Sequence, residues 1–141
     1  MSGVVPAPLR LVIDTNVVIA ALLTPGRTPD LALAALRACA ATILVDARIE
    51  AEYRTVLSRP KFASIPADRR DAMLETLLGG AEHVQCARFE HAMIDDDDRV
   101  FVEVARSGRA DALLTGNAKH FPAELGITVL SPAALLQRLT S

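Results

Sequence analysis

The chain is 141 residues long, 51% apolar and only 4% aromatic, with a formal net charge of −2. That length fits one compact domain with a core of Ala, Leu, Val and Ile, and leaves little room for a second. No apolar run reaches the ~18–20 residues of a membrane span, and residues 1–8, read as a flexible tail, lack the features of a signal peptide, so cytoplasmic residence is expected.

In chain order, Leu9–Ile13 is a nearly unbroken apolar run, as expected of a strand covered on both faces. Val17–Leu23 then reads as helix up to Thr24-Pro25-Gly26. Thr28 as N-cap and Pro29 as first helical residue begin a helix that carries Cys39 as a small core residue. Thr42–Val45 is a second strand, and Asp46 caps a helix running from Ala47 to about Ser58. Pro66 introduces a helix over Ala67–Leu78, closed by Gly79-Gly80. A short strand is expected at Val84–Cys86, a helix at Asp98–Ser107, and strands at Ala112–Thr115 and Ile127–Leu130. Ser131-Pro132 opens a last helix through Leu139. Strands alternating with helices imply an α/β fold around a parallel sheet.

The mild net charge hides an asymmetry. Four of the 17 acidic residues form the run Asp95–Asp98, and without them the acids would be outnumbered by the 15 basic residues. All but two of those bases, Lys61 and Lys119, are Arg, which suits bidentate phosphate contacts. An acidic site in an otherwise mildly basic protein is compatible with a metal that bridges to phosphate.

Ligands of open α/β sheets bind beyond the carboxyl ends of the strands, where Asp14, Asp46 and Asn117 fall. Asp46 is explained by capping alone. Asp14 also reads as a cap, but Thr15 and Asn16 would serve there equally well. Glu52 shares a helical face with Ile49, Tyr53 and Val56, and a carboxylate in an apolar stripe needs a cation, a metal or hydrogen bonds. Asp98 stacks in the same way with Phe101, Val102 and Ala105, while Asp95, Asp96 and Asp97 favour the positive end of that helix. Three carboxylates from separate segments, with oxygen-only ligation, suit Mg²⁺ or Mn²⁺ rather than zinc. His83, His91 and His120 read as surface or packing residues. No paired Cys or Ser nucleophile and no Gly-rich nucleotide loop is present, which points to metal-assisted hydrolysis.

Leu11-Val12-Ile13-Asp14-Thr15-Asn16-Val17-Val18 resembles the opening of PIN-domain proteins. Glu52-Tyr53 with Leu57-Ser58-Arg59-Pro60-Lys61-Phe62 resembles the second acidic segment of their toxin-like branch. Asp95 through Phe101, then Ala105, Gly108, Ala110-Asp111 and Leu114-Thr115-Gly116-Asn117, is similar to the remainder. The resemblance runs from about Leu9 to Leu136. It implies a three-layer α/β/α sandwich and Mg²⁺- or Mn²⁺-dependent cleavage of RNA. It also implies a toxin of a bacterial toxin–antitoxin pair, dimeric and restrained by a small antitoxin. Asp14, Glu52 and Asp98 match the family's acidic positions, with Thr15, Asn16 and Thr115 in support. Asn117 stands where many relatives carry a fourth Asp, which favours one metal over two, and with Lys119-His120-Phe121 it resembles a variant of the toxin-like branch. Arg59, Lys61 and Lys119 are candidates for guiding the RNA backbone. The competing reading is a catalytically silent module that holds a partner through the same cleft. A small-ester phosphohydrolase is disfavoured because Asp14-Thr15-Asn16 is not an Asp-x-Asp pair.

Overall fold

The computed structural model describes residues 8–140, so the tail expected over residues 1–8 lies, apart from Pro8, outside the described residues. In chain order the elements are β1 (Arg10–Ile13), α1 (Thr15–Leu23), α2 (Thr28–Ala38), β2 (Thr42–Val45), α3 (Ala47–Leu57), α4 (Ala67–Leu78), β3 (Glu82–His83), α5 (Arg99–Ser107), β4 (Ala112–Leu114), β5 (Val129–Leu130) and α6 (Pro132–Leu139). The strands form one sheet in the order β3-β2-β1-β4-β5, and every pairing is parallel.

Successive strand residues point to opposite faces of a sheet. Leu11, Val12 and Ile13 are all buried, as are Leu44 with Val45 and Leu113 with Leu114, so helices cover both faces. This is the α/β sandwich with a parallel sheet that the strand–helix alternation predicts. α5 lies across β1, β2 and β4, while α1 and α6 each pack on α2. Each fully buried Leu or Ile stabilises the sandwich by about 1.5–3 kcal/mol. Among the described residues no single helix is long and apolar enough to cross a membrane.

The helix starts follow local chemistry. Asp46 accepts from the Ile49 amide at 3.0 Å to cap α3, and Ser131 accepts from the Ala134 amide at 3.1 Å to cap α6, with Pro132 at the first helical position. α1 begins two residues before the expected Val17, because Asp14 is itself its cap. Thr28 is not the cap of α2: Arg27 holds that position without a side-chain bond, and Asp30 secures the turn by accepting from the Gly26 amide at 2.8 Å.

Two further expectations fail here. The third strand is Glu82–His83 rather than Val84–Cys86; it is exposed and owes its conformation to pairing with Leu44 and Val45. Cys39 is exposed beyond the end of α2 instead of packed in the core, and both Cys39 and Cys86 are free thiols.

The segment after β3 runs back along α5. The Ala87 amide donates to Ser107 Oγ, the Phe89 amide donates to Glu103, and Arg99 donates to the Phe89 and His91 carbonyls. Glu103 is buried and ion-paired with Arg48 at 2.7 Å. α5 then closes against the sheet at Gly108. A Cβ there would lie 2.9 Å from the Val104 carbonyl oxygen, from Leu44 Cδ1 and from Val84 Cγ2.

Candidate metal centre

β1 pairs with β2 on one side and β4 on the other, so the strand order switches direction at β1. A crevice at such a point, beyond the carboxyl ends of the strands, is where open α/β sheets bind ligands. Asp14 directly follows β1 and Thr115 directly follows β4, so both occupy the crevice.

The two loops are stitched together there. The Asp14 amide donates to the Leu114 carbonyl at 2.9 Å, and Thr115 Oγ1 donates to Asp14 Oδ2 at 2.8 Å. Thr115 Oγ1 in turn accepts from the Asn117 amide at 3.0 Å, and Asn16 Oδ1 accepts from the Gly116 amide at 3.2 Å. Asp14 is only 6% exposed and Thr115 is fully buried. A carboxylate placed so deeply is held by these bonds in one orientation.

Glu52 lies in the middle of α3, on the face that buries Ile49, Tyr53 and Val56. Thr15 Oγ1 donates to Glu52 Oε2 at 3.3 Å, which ties α3 to the start of α1. The buried Tyr53 hydroxyl donates to the Ile13 carbonyl. Burial first, and the Asp14 and Glu52 charges second, push its pKa up, so it stays a donor. Tyr53 thus pins α3 to the end of β1, close enough to both carboxylates to feel their charge.

Asp98 is not within the long helix but in the short 3₁₀ turn Asp96–Asp98 that leads into α5. Asp95 caps that turn by accepting from the Asp97 amide at 3.0 Å, and Asp96 turns outward to Arg99 at 2.7 Å. The Asp98 side chain is 15% exposed, with His120 Nδ1 3.3 Å from its Oδ2. His120 ends the 3₁₀ turn Ala118–His120, where its amide donates to the Asn117 carbonyl at 2.9 Å, and the next residue, Phe121, is buried.

The electrostatics record crowded negative charge. Burial pushes the Asp14 carboxyl above its ordinary value, against the opposing hydrogen bonds from Thr115 and the Asn16 amide. Asp98 is pushed up to about 6, by burial first and then by the Asp14 and Asp95 charges, with His120 pulling the other way. These influences link Asp14, Asp95, Asp98 and His120 in one field. Asp95, Asp98 and His120 also offer ligand atoms that all lie within 4.8 Å of one another. Converging carboxylates with too little positive charge fit a divalent cation, which would relieve both the burial and the repulsion.

The structure therefore gathers Asp14, Glu52, Thr15, Asn16, Thr115 and Asn117 at the first and fourth strand ends, with Asp98 coupled electrostatically to Asp14. Arg59, Lys61 and Lys119 are exposed; the Lys61 ammonium lies 5.1 Å from the centre of the Phe62 ring rather than among the acids. Two members of the cluster were not anticipated. His120 reads as a surface residue and Asp95 as a helix-end charge, because a single turn of 3₁₀ helix leaves no periodicity to follow.

A search of curated proteins found no match to this chain. The PIN domain model, by contrast, matches residues 10–119, from the first residue of β1 to the turn that presents His120, and the chain belongs to the PIN domain family.

Proposed function

We propose that this protein is a metal-dependent endoribonuclease and the toxin of a toxin–antitoxin pair. PIN domains are generally metal-dependent nucleases, which supplies the reaction class. The observation that carries the reading is the buried Asp14, oriented by Thr115 at the strand switch point and electrostatically coupled to Asp98. RNA as substrate, a small antitoxin as restraining partner, a homodimeric state and the cytoplasm as site of action rest on the resemblance to the toxin-like branch. In this reading Asp14 and Asp98, with Glu52 directly or through water, would hold one Mg²⁺ or Mn²⁺, which would lower the pKa of bound water and polarise a phosphoryl oxygen. Glu52, steadied by Thr15, orients the attacking water. Asn117 contributes an amide oxygen without charge. Arg59, Lys61 and Lys119 guide the RNA backbone, a contribution that weakens with salt. The products would carry a 5′-phosphate and a 3′-hydroxyl.

Asn117, an amide in place of an acid, favours a second reading: a module that binds without turnover. One experiment separates the two. Purified protein is incubated with RNA and Mg²⁺ or Mn²⁺, with and without chelator, beside Asp14→Asn. Cleavage that stops with chelator and falls at least ~100-fold in the variant supports the nuclease. Equal activity in the variant means a contaminant or another site, and metal binding without turnover across RNA substrates supports the silent module. Growth arrest on induction of wild type but not of Asp14→Asn supports the toxin role.

A further inference from the structure

The turn that follows β4 does more than present an amide. Residues Ala118–His120 wind into a 3₁₀ turn, the His120 amide closes on the Asn117 carbonyl at 2.9 Å, and buried Phe121 anchors the next position. The result is an imidazole fixed at the rim of the acidic crevice, with ligand atoms of Asp95, Asp98 and His120 all within 4.8 Å of one another. The His120 Nδ1 to Asp98 Oδ2 distance of 3.3 Å is longer than the usual 2.7–3.2 Å of a nitrogen–oxygen hydrogen bond. The ring and the carboxylate lie side by side, with Asp95 near enough for all three to face one cation. The other two histidines are used elsewhere: His83 is at Glu50, and His91 stacks on Phe89 with a ring nitrogen on the Ala92 carbonyl.

We propose that His120 is a direct ligand of the metal, so that the site is a mixed carboxylate–imidazole centre that selects Mn²⁺ over Mg²⁺. This rests on the metal-dependent reading of the same crevice. The chemistry is that of donor preference: both ions suit oxygen donors, but Mg²⁺ keeps much of its water, whereas Mn²⁺, as the first ion of the transition series, takes an imidazole nitrogen more readily than Mg²⁺ does, if less readily than Fe, Ni, Cu or Zn ions. Asn117 lowers the charge of the crevice by offering an amide, and the same turn brings in a neutral nitrogen donor. Loss of negative charge weakens the hold on a hard ion such as Mg²⁺ more than on an ion that gains a nitrogen ligand.

The test uses the full chain with Mn²⁺ alone and Mg²⁺ alone. Calorimetry on wild type and His120→Ala, with folding checked by circular dichroism, should show Mn²⁺ affinity falling roughly tenfold or more while Mg²⁺ affinity changes about twofold or less. An H83Q/H91Q variant keeps His120 as its sole histidine. Electron spin-echo modulation of Mn²⁺ bound to it should show coupling to an imidazole nitrogen, which settles the matter even if His120→Ala does not fold. Unchanged Mn²⁺ affinity in His120→Ala, or absence of nitrogen coupling, overturns the ligand assignment. If Asp98→Asn still abolishes Mn²⁺ binding in that event, the metal-dependent reading survives alone. Mn²⁺ binding by wild type that is indifferent to Asp98→Asn overturns both.

Discussion

Burial and the neighbouring Asp14 and Asp95 charges make the ionised Asp98 costly, and His120 relieves that cost only in part. Its carboxyl titrates near 6 in the folded chain, against 3.8 for a free aspartate. Below pH 3.8 both folded and unfolded states carry the proton. Between 3.8 and about 6 only the folded state does, so the contribution of Asp98 to stability falls as pH rises through that window. Above it the metal-free protein is left with a crowded, buried charge. Asp98→Asn should therefore raise the stability of metal-free protein by ~1–2 kcal/mol at pH 7, less than the full shift implies because the carboxylate keeps some solvent. The gain should vanish near pH 3.5, and the variant should be inactive. Chemical denaturation at the two pH values checks this. At the same scale, Asp14 and Glu52 were legible as candidates because a carboxylate at a strand end or in an apolar face is conspicuous; Asp98 was picked out too, although it lies in the 3₁₀ turn before α5 and not within that helix. His120 and Asp95 were not, since their approach depends on two 3₁₀ turns that only the folded loops bring together.

At the scale of elements, the legible ones are those whose own residues specify them. α3 and α6 have Asp46 and Ser131 caps followed by apolar stripes, and β1 is a continuous apolar run. β3 has no such signature. Glu82 and His83 are polar and exposed, and Arg10 fastens this edge by donating to both Glu82 oxygens at 2.8 and 2.6 Å while reaching the Gly108 carbonyl. Cys39 was misplaced for a related reason: α2 stops one residue before it, so the helical face it would have shared does not extend that far. At Gly108, α5, β2 and the chain after β3 meet closely. Gly108→Ala should destabilise by ~1–3 kcal/mol, because a methyl at 2.9 Å from the Val104 carbonyl oxygen forces a shift of backbone and not merely of side chains. A thermal melt measures this, and an unchanged midpoint would show that the junction yields freely.

Across the whole molecule, metal and fold should report on each other. Binding to the native state alone stabilises by mass action, about 2.7 kcal/mol at a ligand concentration a hundred times Kd. Thermal unfolding in saturating Mn²⁺ should accordingly shift upward by several degrees relative to chelator, and Asp14→Asn should erase most of that shift; an equal shift in the variant would place the ion elsewhere. The bond from Thr115 to Asp14 spans 101 positions of the chain. Its consequence is temporal. During synthesis Asp14 is made first, and the hydroxyl that orients it is added 101 positions later, followed by the turn that carries His120. The carboxylate at the switch point therefore has no orienting partner until the fourth strand and the turn after it have been made.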